Sequence, residues 1–166
     1  MFGLSETAMS ALVVLSVTIS FPCFLYGAWI MIDNDPITWD ILVWHLKYIF
    51  VGLALTTIPM LFWMLPRLLR QFGGFGVFHA VIGLHAYAFL LFALTGIVRI
   101  LRAKWQHDLY HDYDEDVLLD EIGGDRMDHW RARLRIGVVG YVVLWIGAYL
   151  TGLAKFFIRY DPLRFL

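Results

Sequence analysis

Four long apolar stretches separated by polar breaks dominate the chain. Ala8 to Ile32 runs for 25 positions without a charged side chain. Ile41 to Leu65 follows, with His45 and Lys47 near its start, and Phe75 to Val98 carries no ionic group apart from His79 and His85. Ile136 to Ala154 is the fourth and shortest. About 20 apolar residues in helical form cross a bilayer core, and backbone polar groups in hydrocarbon must be satisfied within the segment. Each stretch therefore predicts a membrane-spanning α-helix. The expected fold is an all-α, integral-membrane four-helix bundle forming one domain over 1–166, with a long polar loop, 99–135, between helices three and four. The first stretch is too long for the apolar run of a signal peptide and lacks a preceding basic segment, so it reads as a span.

The breaks carry turn chemistry: Asp33 to Pro36 (DNDP) marks the first, and Pro66 with Gly73-Gly74 the second. Trp29, Trp39, Trp44, Trp105 and Trp130 all fall at one membrane face, whereas Trp63 and Phe72 fall at the other, as aromatic belts require. The face holding the first and third loops carries eight Lys and Arg against five on the face holding both termini. That balance leans the long loop toward the cytoplasm and both termini outside, in a multi-pass cell-membrane protein.

Lipid gives helices no hydrophobic reason to associate, so small residues mark close contacts. Gly137, Gly140, Gly147 and Thr151 share one stripe of helix four, and Gly76, Ala80 and Gly83 a comparable stripe of helix three. They predict packing within the bundle, or docking of a partner membrane subunit along one stripe. Pro22 and Pro59 predict kinks in helices one and two.

Histidines at membrane depth are candidate functional groups. At 1.5 Å per residue, His45 lies about 6 Å inside the face where helix two starts, His85 about 20 Å and His79 about 28 Å from that same face. Two axial ligands of one haem need similar depth, so a bis-histidine haem within one chain is disfavoured. Met60 matches the depth of His79, which keeps a His/Met iron or copper site open. His45 or His85 remain candidates for haem b or quinone shared with a partner subunit. The plainer alternative is neutral histidines bonded across helices to Thr56, Thr57, Tyr87 or a backbone carbonyl. Lys47 lies near the interface, where its stem can carry its charge out to the headgroups.

The third loop is acidic: His107 to Asp128 holds nine acids and one base. His107 and His111, at i and i+4, are candidate zinc ligands, although the glutamate of the protease motif is missing between them. Asp112, Asp114 and Asp116 begin like a calcium loop, but Val117 stands where glycine should turn and Gly123 where a glutamate should close. A solvated acidic face accounts for the segment more simply.

Composition sharpens the medium rather than the function. Hydrophobic residues make up 60% of the 166 and charged ones 16%, against about 45–50% and 25% in soluble domains. No basic patch suited to nucleic acid appears, and the single cysteine, Cys23, cannot close an intrachain disulfide. Eleven Asp against three Glu, and ten Arg against three Lys, suit wet surfaces facing concentrated salt.

The stretches LYGAWIMID, WHLKYIFVGLALTTIPMLFWMLPRL, LHAYAFLLFALTGIVRI and HDLYHD resemble a haloarchaeal family of small, functionally unassigned four-helix membrane proteins. The resemblance covers all but the N-terminal end, with a looser match over the last helix. It implies a setting beside cytochrome bc-type respiratory gene clusters, and it supplies no catalytic residues. GLHAYAFLL is also loosely similar to the histidine-bearing helices of membrane cytochromes b. The resulting expectation is a non-catalytic membrane subunit or assembly factor associated with a respiratory electron-transfer complex. A b-type haem or quinone-reactive membrane electron carrier is the alternative, and a small transporter the third reading. No complete catalytic constellation is present.

Overall fold

A computed structural model of the chain describes residues 5–35, 37–68, 74–109 and 125–160. Those residues form α1 (Glu6–Asp33), α2 (Trp39–Pro59), a π-helical turn (Met60–Met64), the short α3 (Leu65–Leu68), α4 (Gly74–Gln106) and α5 (Asp125–Tyr160). Four helical spans are long and apolar enough to cross a membrane, the second running unbroken from Trp39 to Arg67. Between 11% and 17% of each span's apolar window is buried inside the molecule. Many large apolar side chains, among them Phe50, Phe62 and Leu91, are exposed on the outside. Water would not tolerate that surface, whereas hydrocarbon does.

The helix ends follow local chemistry. Ser5 caps α1 by accepting the amide of Ala8 at 3.2 Å. Asn34 closes α1 by donating to the carbonyl of Ile30 at 2.8 Å. At the end of α4 the amide of Leu109 donates to the carbonyl of Lys104 and that of Asp108 to Trp105. This paired arrangement satisfies carbonyls left open by the last turn, and it needs a left-handed residue next to the cap. Asp108 takes that place with φ 53°.

α4 and α5 thus extend well past the apolar stretches, shortening the polar connection expected over 99–135 at both ends. Lys and Arg are good helix formers once outside the lipid. Ala103, Leu109 and Met127 are buried there. The acidic residues of 110–124 lie outside the described residues.

Proline 59 shapes the second span. It has no N–H for the carbonyl of Leu55, four residues back. Ser16, reaching over from α1, donates its hydroxyl to that carbonyl at 2.8 Å. Directly afterwards the backbone widens into the π turn, and the amide of Met60 is shared between the carbonyls of Thr56 and Thr57. At Pro59, where a kink is expected, the helix continues into a π turn over Met60–Met64, a form that local interruptions of a helix often take. α1, by contrast, runs through Pro22 without interruption.

The bundle consists of two antiparallel hairpins, α1 with α2 and α4 with α5. Small residues hold each one together. A methyl group on Gly137 would stand 2.6 Å from the backbone nitrogen of Ala93, one on Gly52 2.8 Å from the Phe24 ring, and one on Gly140 would enter the Phe89 ring. Nearer the chain ends the α4–α5 contact relaxes: a methyl on Gly147 would meet Ile82 at 3.7 Å and one on Gly83 would meet Ala148 at 3.9 Å. The helix-four stripe is thus spent inside its own hairpin. Between hairpins, rings replace backbone contact: Phe21 packs on Trp145 at 4.4 Å and Phe24 on Trp145 at 5.4 Å. Trp39 meets Trp105 at 4.9 Å, so two members of the expected aromatic belt share a face.

Candidate functional site

Where the α4–α5 contact relaxes and the second span carries its π turn, the hairpins part around a cavity of about 240 Å³. Its deep walls are apolar, with Val13 and Val17 from α1 and Ala86 and Trp145 from the second hairpin. Hydroxyl pairs hold the hairpins together beside it. Ser10 donates to Tyr160 at 3.1 Å, Thr18 pairs with Tyr149 at 3.1 Å, and Thr57 pairs with Tyr87 at 3.1 Å. Exchanging such hydroxyls costs little in length, so the seam closes without bringing the backbones together.

His79 forms part of the cavity wall. Its Nδ1 lies 3.1 Å from the Thr151 hydroxyl oxygen. The Thr151 hydroxyl also lies within reach of the carbonyls of Gly147 at 2.8 Å and Ala148 at 3.0 Å, so its one proton has three acceptors in range and the direction of its bond to His79 follows the ring tautomer. The ring lies flush against α5 because residue 152 is glycine; a methyl there would stand 2.9 Å from Cε1 of His79. Met60, in the π turn, lines the same cavity. The depth match between His79 and Met60 is therefore realised as two walls of one space.

Charge gathers at the mouth. One oxygen of Glu6 accepts from Arg67 at 3.3 Å and from Arg159 at 3.3 Å. The Arg67 guanidinium also covers the Trp63 ring at 3.1 Å, and its Nη1 is buried without a hydrogen-bond partner. Lys155 adds a further cation to the rim. Deeper in the core the Tyr141 hydroxyl is also buried.

The other histidines are separated from this space. His45 Nδ1 bonds the carbonyl of Gly27 at 2.8 Å, tying α2 to α1. His85 Nδ1 bonds the carbonyl of Val81 at 2.8 Å on its own helix, and the ring faces outward. The structure thus brings together His79 and Met60, and neither His45 nor His85 joins them. Gly137 and Gly140 serve hairpin packing, while Gly83 and Ala80 line the cavity. His107 is exposed just beyond α4, beside the left-handed Asp108. His111 itself lies outside the described residues. Among the described residues no three His, Cys, Asp or Glu side chains gather as a metal site would require.

Sequence reading missed Glu6, Arg67 and Arg159. Their signal was present as charges at the ends of three spans on the same membrane face, which helix pairing then brings into contact.

The family model that matches the chain, over residues 6–161, is described as a domain of unknown function (DUF7321). No curated protein and no solved structure matches it.

Proposed function

This chain belongs to the DUF7321 family, and on that premise we propose that it is a non-catalytic membrane subunit or assembly factor of a respiratory electron-transfer complex. One observation supports the reading: the three intramembrane histidines each engage Nδ1 in a hydrogen bond within their own fold. They point into a hairpin, into a cavity and outward. A bis-histidine haem needs two rings converging on one iron, and these rings diverge. The respiratory setting rests on the resemblance of LYGAWIMID and its companion stretches to the haloarchaeal family. The Lys and Arg balance leans the 99–135 side toward the cytoplasm and the termini outside.

A b-type haem or quinone-reactive carrier is the second reading, favoured by the shared cavity of His79 and Met60. Purification in mild detergent separates the two. A subunit or assembly factor comigrates with larger redox proteins on native gels, and the isolated chain has no reducible visible band. A Soret band lost in His79→Ala would overturn that reading in favour of the carrier. A chain that migrates alone at every detergent concentration would also sink it.

A further inference from the structure

His85 turns a polar ring toward hydrocarbon near the middle of the third span. Along α4 it lies about 16 Å from Gly74 and about 20 Å from Val98, too far for an imidazole to reach either surface. The ring is exposed, and its only hydrogen bond among the described residues joins Nδ1 to the Val81 carbonyl at 2.8 Å. A carbonyl oxygen only accepts, so Nδ1 carries the proton. In the neutral ring Nε2 then keeps a lone pair, and lipid chains contain no donor for it. Polar groups at this depth nearly always face a bundle interior, a watery cavity or one another. His85 faces none of these within the described chain. Its surroundings form a seam: Phe78, Val81, His85, Ala88 and Phe92 are all exposed and follow at alternating spacings of three and four. Two helices pack side by side on that spacing. Ala88, next to the imidazole, leaves room for a second backbone.

We propose that this outer seam of α4 docks one transmembrane helix of a different protein. That helix donates a hydroxyl or amide hydrogen bond to Nε2 of His85. The proposal rests on the reading of the chain as a membrane subunit and names the face by which it joins its partner. The glycines of α5 do not compete for this role, because Gly137 and Gly140 already pack against α4. A second copy of the chain does not suit the seam. Two-fold symmetry would set His85 against His85, acceptor facing acceptor, with only apolar side chains from Phe78 to Phe92 around them. The partner must bring the donor.

Photo-crosslinking of the full chain in its native membranes tests the seam. A photoreactive residue placed singly at Val81 or Phe92 should give one adduct with another protein, whereas one at Phe50, exposed on the other hairpin, should not. His85→Leu removes the acceptor and should lower the adduct yield about fivefold. His85→Gln, whose amide oxygen accepts in its place, should keep most of it. Ala88→Phe crowds the seam without altering the histidine and should lower the yield as His85→Leu does. Purified His85→Leu should unfold in detergent at or above the parent temperature, so that a lost adduct reports docking and not misfolding. Equal adducts from Phe50 and the seam, indifference to His85→Leu, or an adduct between two copies overturns the proposal. A Soret band lost in His85→Leu assigns the ring to haem and overturns it too. No adduct from the seam of a chain that still comigrates with redox proteins sinks the seam and leaves the subunit reading standing. A His85-dependent adduct with a protein outside any redox complex supports the seam and removes the respiratory setting.

Discussion

Gly137 and Gly147 lie on the same face of α5, yet the space beside them differs. Beside Gly137 stands the backbone of Ala93, 2.6 Å from where a methyl would be, and backbone cannot yield without moving α4. Beside Gly147 the nearest atom is the Ile82 methyl at 3.7 Å, an ordinary contact. Gly137→Ala should therefore lower stability by about 1–3 kcal/mol through overpacking. Gly147→Ala should raise it by about 0.5–1 kcal/mol, because glycine weakens a helix interior. Thermal unfolding of both variants in one detergent reads the contrast, and equal shifts would deny the gradient. The sequence displays these glycines as one stripe. Which of them touch backbone depends on the local splay of two helices, and no spacing rule carries that information.

At the scale of elements, the second span is defined by the exchange between Pro59 and Ser16. The proline strips the Leu55 carbonyl of its helical donor, and the serine of the neighbouring helix replaces it. Ser16→Ala leaves that carbonyl bare and should cost about 1–2 kcal/mol. Pro59→Ala restores an N–H four residues on, so the double variant should recover much of the loss. A double-mutant cycle on thermal midpoints measures the coupling; strict additivity would mean that the two residues do not serve one carbonyl. The four span centres were legible because about 20 uncharged residues admit no other medium. The outer ends of α4 and α5 were not, since Arg-rich helix beyond the lipid lacks apolar length. The π turn was half legible: the proline announces an interruption without saying which kind. The depths of His79 and Met60 were readable by counting turns, but the cavity between them required the angle between hairpins.

Across the whole molecule, four candidate spans among the described residues imply that Ser5 and Tyr160 lie on one side of the membrane and Asp35 and His107 on the other. In a Cys23→Ser background, cysteines at Ser5 and Gln71 should react with an impermeant maleimide from outside intact cells. Cysteines at Asp35 and His107 should react only after the membrane is opened. Inverted labelling of both pairs reverses the proposed orientation and keeps the fold. Different labelling within either pair contradicts an even number of crossings.

The two hairpins meet through rings and hydroxyls, and each closes its tight backbone contacts within itself. During synthesis the first pair can settle in the bilayer before the second has left the ribosome. Until α5 arrives, Glu6 and Arg67 lack Arg159, and the wall of valines on α1 faces lipid directly. The last helix to be made is thus the one that encloses the vestibule.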